Sequence, residues 1–181
     1  MSIRPSLFSK IMLASVMMAI MTMSLFLPEQ ASAGDVIPGG GTTLVIPALS
    51  LTAPIIPLPL DRSIGTWNTS QLGSSVGHFE HTPWLGENGN VVLGGHATGD
   101  DGSPSIFYGL NTLRIGDIIT VNEQGAVVSY VVRRIRTVAV TDLSVLYSTG
   151  RETLTLITCS GFNDETRTFE QRLVVIAERA G

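Results

Sequence analysis

The 181-residue sequence predicts a mostly β domain, a barrel or a sandwich, behind an N-terminal export segment. Two observations carry the fold class. Seven or eight short runs rich in Val, Ile, Leu and Thr recur between joins that contain Gly, Pro, Asn and Asp. Helical signal is thin, confined to residues 105–113 and 142–147, where Thr141 or Asp142 could cap a turn. The length suits one domain, and no internal repeat is visible.

In chain order, Arg4 and Lys10 precede an uncharged apolar run from Ile11 to Leu27, followed by Pro28 and Glu29. Ala31-Ser32-Ala33 then forms a small-residue pattern of the kind signal peptidase cleaves. The run would span about 25 Å as a helix, slightly short of the roughly 30 Å hydrocarbon core. Residues 1–33 therefore read as a signal peptide or as an N-terminal membrane anchor, and either exports the remainder. Residues 34–42 read as a Gly- and Pro-containing linker, and residues 43–181 as the folded domain.

Within the domain, Thr43 to Ile46 is a β-branched run stopped by Pro47. Leu51 to Leu60 is apolar but carries Pro54, Pro57 and Pro59, which predicts an edge strand or an extended crossing. Asn90 to Leu93 is a compact strand leading through Gly94-Gly95 to His96. Asp117–Val121 and Ala126–Val138 read as a hairpin joined across residues 122–125. Thr153–Thr158 and Leu173–Ala177 complete the set, so that His96, Cys159 and Arg172 are all expected at strand ends.

A net charge of −4 and a single lysine give no basic field for nucleic acid. Arg133, Arg134 and Arg136 approach one another, but in a strand-like stretch that reads as a solvated face. Cys159 is the only cysteine, so no internal disulfide can form, and the thiol is either an inert core group or a working one.

A nucleophilic reading suits its setting. Thr155 to Thr158 lead up to Cys159, and Ser160-Gly161 look like the start of a turn that would open the thiol to a groove. A free thiol, with a pKa of about 8.5, needs a base or a cation nearby. His78, His81 and His96 are the candidate bases, and His78-x-x-His81 is also a weak metal-ligand spacing. Acyl transfer further needs a donor for the developing oxyanion. Arg172, at the head of an apolar strand, is the candidate donor, with Arg167 as competitor. Asp100-Asp101 and Asp164-Glu165 read as solvated turn residues rather than calcium ligands, and no metal or cofactor is expected.

The order and setting of these residues resemble the sortase family. Thr155-Leu156-Ile157-Thr158-Cys159 matches its Thr-Leu-x-Thr-Cys strand. Gly95-His96, followed by Phe107, Leu110, Leu113 and Gly116-Asp117, is similar to its Gly-His strand end and the stretch beyond. Arg172-Leu173-Val174-Val175 matches its Arg-led strand after the cysteine. The resemblance covers Thr43 to Glu178, and Val76 to Phe79, Trp84 and residues 88–95 are similar to compact members of classes D, E and F.

It implies an eight-stranded barrel with short helices and a cysteine transpeptidase on the outer face of the cell membrane or in the cell wall. Cys159 would be the nucleophile, His96 the general acid and base, Arg172 the oxyanion stabiliser and Thr158 a substrate contact. The implied partners are proteins with a Leu-Pro-x-Thr-Gly-like C-terminal sorting signal and an amine acceptor, a cell-wall peptide or a pilin lysine. Sortases commonly keep the N-terminal helix as an anchor, and Ala31-Ser32-Ala33 departs from that habit. Two rivals stand beside this reading. L,D-transpeptidases carry Arg two residues after the cysteine, where this chain has Gly161; an exported β-barrel binding or adhesion module would leave the cysteine idle.

Overall fold

Strands whose side chains alternate between two apolar environments close here into a barrel. The computed structural model describes residues 41–181; the export segment and most of the linker lie outside the described residues. The strands are β1 (Thr43–Ile46), β2 (Leu51–Leu58), β3 (Leu60–Asp61), β4 (Thr66–Trp67) and β5 (Val76–Phe79). They continue as β6 (Asn90–Gly94), β7 (Ile118–Glu123), β8 (Ala126–Ala139), β9 (Thr153–Asn163) and β10 (Thr168–Arg179). Eight of them form a closed barrel in the order β1-β2-β5-β6-β9-β10-β8-β7, and β7 returns to pair with β1. The β2–β5 and β6–β9 pairs are parallel and the others antiparallel. β3 and β4 form a separate two-stranded sheet.

The barrel interior is filled by Leu44, Ile46, Leu93, Phe107, Leu154, Leu156, Val175 and their neighbours. A second cluster, Val92, Val138, Val145, Ile157 and Val174, lies on the opposite face of the same strands. Successive residues of a strand face opposite sides, so Leu156 points inward while Ile157 points out.

Three short 3-10 helices connect the strands: Pro47–Leu49, Tyr108–Thr112 and Leu143–Leu146. The last is capped by Asp142, whose Oδ1 accepts from the Ser144 N–H at 3.0 Å. The β7–β8 hairpin turns on Gln124 and Gly125, both at positive φ (49° and 89°), which matches the twist of the flanking strands. Among the described residues no helix is long and apolar enough to cross a membrane.

Two sequence expectations need correction. The proline-bearing segment is a barrel strand rather than an edge or a crossing. β2 pairs with β1 through Leu51–Pro54 and with β5 through Ile55–Leu58, so each half is bonded on one side only. That leaves Pro54 and Pro57 free of a second ladder that would require their missing N–H. The second correction concerns Cys159 and Arg172, which are not at strand ends. β9 runs on to Asn163 and β10 begins at Thr168, so Ser160-Gly161 lie inside a ladder. Gly161 takes φ +66 there, and the chain reverses only where Asn163 Oδ1 accepts from the N–H groups of Glu165 and Thr166.

A latch joins β8 and β10. The fully buried Tyr130 donates its hydroxyl to Glu152 Oε1 at 2.7 Å, and Arg179 pairs with the same carboxylate. Burial pushes the Glu152 carboxyl up, but hydrogen bonds from Tyr130 and Arg179 outweigh it and hold the pKa below its usual 4.5. Glu152→Ala should cost about 1–3 kcal/mol, read as a lower urea midpoint, because the Tyr130 hydroxyl loses its partner. The depressed pKa means that the carboxylate's contribution is complete above 4.5 and is lost as the pH falls through the lowered value.

Candidate active site

Cys159 lies opposite Arg172 in the β9–β10 ladder, and Val138 of β8 lies opposite Arg172 on its other side. Across β9, the parallel β6 strand pairs as far as Gly94 with Ile157. The contact continues past the end of β6. The Gly95 N–H donates to Ile157 O at 3.2 Å, and Thr158 Oγ1 donates to Gly95 O at 2.9 Å. These two bonds hold Gly95 beside Ile157 and Thr158, and His96 is the next residue along. Cys159 and Arg172 thus form one cross-strand row, and His96 follows two residues past the end of the neighbouring strand β6.

Residues in one cross-strand row project from the same face. Cys159 is two residues beyond Ile157, so the row belongs to the outer face and adjoins the second apolar cluster. Cys159, His96 and Arg172 are each half-buried, which leaves all three reachable from solvent. Cys159 and Arg172 share this accessible row, and His96 lies just past the end of the neighbouring strand. A thiol, an imidazole and a guanidinium are groups that can attack a carbonyl carbon, move a proton and stabilise an oxyanion.

Local structure fixes the His96 backbone. A Cβ on Gly95 would lie 2.7 Å from Phe107 Cδ2, so only glycine permits this approach. The Phe107 N–H then donates to His96 O at 2.9 Å. His96 Nε2 stands 3.2 Å from Thr69 O. A carbonyl can only accept, so Nε2 carries the hydrogen in this contact and Nδ1 is the acceptor of the neutral ring. The Thr69 carbonyl was not legible in the sequence, because any residue type supplies one; the only local signal is Asn68, whose Oδ1 accepts from the Ser70 N–H at 3.0 Å. Arg172 Nη1 donates to Gln171 O at 3.0 Å, and its other N–H groups have no partner among the described residues.

The remaining candidates lie elsewhere. Thr158, expected to touch substrate, is 4% exposed, faces away from the row and gives its hydroxyl to Gly95. It shapes the site through the backbone that leads into His96. Arg167 sits in the hairpin turn at φ +57 and lies over the Phe162 ring at 5.4 Å. His81 is exposed beside Glu80, and among the described residues no group of three His, Cys, Asp or Glu stands together as a metal cluster.

His78 is structural. Its Nε2 lies 3.1 Å from both Pro83 O and Thr82 Oγ1, and its ring packs on Trp84 at 4.4 Å between centroids. Burial pulls its pKa below the usual 6.5, and the hydrogen bonds at Pro83 and Thr82 offset only part of that. The folded state resists protonation, so the His78 contribution is full above 6.5 and is lost as the pH falls below it. Denaturant midpoints at about pH 7.5 and 5.5 should therefore converge in His78→Gln relative to the native chain.

Comparison with known proteins gives the same family from two directions. A family model described as Sortase domain matches residues 44–180. A search of curated protein sequences finds no match. Among solved structures, the chain is similar to a Clostridium perfringens sortase D5 transpeptidase, with 25% identity over 78% of this chain and 79% of that one, at a TM-score of 0.63. It is also similar to sortase C-1 of Actinomyces oris, with 27% identity over 80% and 76% of the two chains, at a TM-score of 0.62. Sortase C1 of Streptococcus agalactiae matches with 26% identity over 81% and 71%, at a TM-score of 0.64. Class C and class D structures match to about the same degree, so the likeness is to the family rather than to one class. With its closed eight-stranded barrel and a match over nearly the whole described domain, this chain belongs to the sortase family of cysteine transpeptidases.

Proposed function

We propose that the chain cleaves a Leu-Pro-x-Thr-Gly-like C-terminal sorting signal and transfers the upstream protein to an amine on the cell surface. The supporting observation is that Cys159 stands opposite Arg172 in the β9–β10 ladder, while Gly95, which leads into His96, is bonded to Thr158 beside Cys159. The Cys159 thiol passes its proton to His96 as Sγ attacks the threonyl carbonyl carbon, and a carbon–sulfur bond forms. Arg172 donates to the oxyanion that develops on the carbonyl oxygen, an interaction stronger in the transition state than in the ground state. The carbon–nitrogen bond breaks as His96 gives a proton to the departing amine, which leaves a thioester. An incoming amine attacks that thioester, His96 takes its proton, and the thiolate departs. A thioester suits the task because it survives until an amine arrives and still reacts with one.

The acceptor is an amine of a cell-wall peptide or a pilin lysine. The enzyme works outside the cytoplasm, on the outer face of the membrane if the N-terminal segment is retained as an anchor. The test incubates the protein with sorting-signal peptides of varied sequence, with and without an amine acceptor. Mass spectrometry should detect a ligated product that requires both the peptide and the amine. Absence of ligation across the peptide and amine panels would refute the proposal.

A further inference from the structure

Asn90 opens β6 and is 2% exposed, an unusual burial for an amide side chain. Its hydrogen bonds explain it. Nδ2 donates to Val145 O at 2.8 Å, while Oδ1 accepts from Thr155 Oγ1 at 2.6 Å and from Thr153 Oγ1 at 3.3 Å. The two threonines belong to the sheet, pairing across β6–β9 with Asn90 and Val92. Val145 belongs to the Leu143–Leu146 turn between β8 and β9.

That turn sits beside the reactive row. Val145 packs with Ile157, Val174 and Val138, and Val138 is the β8 neighbour of Arg172. The backbone bonds at the two ends of the turn are local, Asp142 N–H to Ala139 O and Tyr147 N–H to Ser144 O. Apolar contact alone can slide, whereas a buried amide bonded on both sides has one arrangement that satisfies it. Leu143 and Tyr147, at either end of the turn, are exposed by 54% and 67%, so its outer edge offers apolar surface to a bound chain.

We infer that Asn90 is a positioning residue: it ties the Leu143–Leu146 turn to the sheet through Val145 O and so sets the wall of the groove where the peptide lies next to Cys159. The inference rests on the sorting-peptide reading for its second half only. Asn90 touches neither substrate nor the reacting atoms. Its loss acts through the turn, on peptide binding before chemistry.

The test compares Asn90→Leu with Thr155→Val, which removes one partner of the amide but leaves the bond to Val145. In Asn90→Leu, hydrogen-exchange protection of the Ser144 and Tyr147 amides should fall about tenfold, and KM for a cleaved peptide should rise about tenfold with kcat within about twofold. Thr155→Val should leave both quantities near the native values. Unchanged protection in Asn90→Leu, equal changes in the two variants, or a loosened turn with unchanged KM would each overturn the inference. If the native protein processes no sorting peptide, the functional reading fails, while the exchange comparison still decides the tether. If Asn90→Leu does not fold, the native protein decides instead. The Asn90 side-chain amide protons should exchange at least about tenfold more slowly than those of exposed Asn88, and equal rates would contradict the bond to Val145.

Discussion

Cys159→Ala should abolish ligation, lowering the rate by at least about 10⁴-fold, without a matching loss of stability. The two halves of that expectation come from different facts. The loss of activity follows because Cys159 is the only cysteine in the sequence and no other thiol can form the thioester. The preserved stability follows because the thiol is half-buried at the margin of the outer apolar cluster and forms no disulfide. Removing one sulfur there leaves no enclosed cavity of the kind that makes core truncations costly. Ligation assays beside urea denaturation would separate the two effects. A variant that folds normally and still ligates would remove the nucleophile assignment.

Arg172→Ala should lower kcat by about 10²–10³-fold with a smaller change in KM, the pattern of a donor that acts on charge developing in the transition state. Arg172→Lys should recover only part of the loss. The guanidinium bonds the preceding carbonyl, Gln171 O, through Nη1 and keeps further donors in a fixed plane, which the proposed mechanism directs at the oxyanion. An ammonium carries the charge but not that fork. A fall in kcat/KM caused wholly by KM would instead make Arg172 a ground-state binding group. The β9–β10 ladder opposite Cys159 should survive either substitution, since it is made of backbone hydrogen bonds along both strands.

Much of the fold was legible because its cause is local. Short runs rich in Val, Ile, Leu and Thr marked the barrel strands, and the join at residues 122–125 could be read as the reversal between β7 and β8. What was hidden depends on partners distant in sequence. Ser160 and Gly161 have turn chemistry, yet pairing with β10 keeps them in a ladder and moves Cys159 into mid-strand. The prolines of β2 looked incompatible with a barrel strand until its two halves were seen to bond on opposite sides. In the site, the order His96, Cys159, Arg172 was visible from motif spacing, and the pairing of Cys159 with Arg172 follows from the β9–β10 register. The Thr69 carbonyl and the Asn90–Val145 tie were not visible, since each joins segments that the sequence shows no reason to connect.

The thioester itself tests the account most directly. The native protein, mixed with a sorting-signal peptide and no amine, should show by intact mass an added acyl fragment that maps to Cys159 and disappears when an amine is supplied. An acyl group found on another residue, or ligation that proceeds with Cys159 never modified, would contradict it.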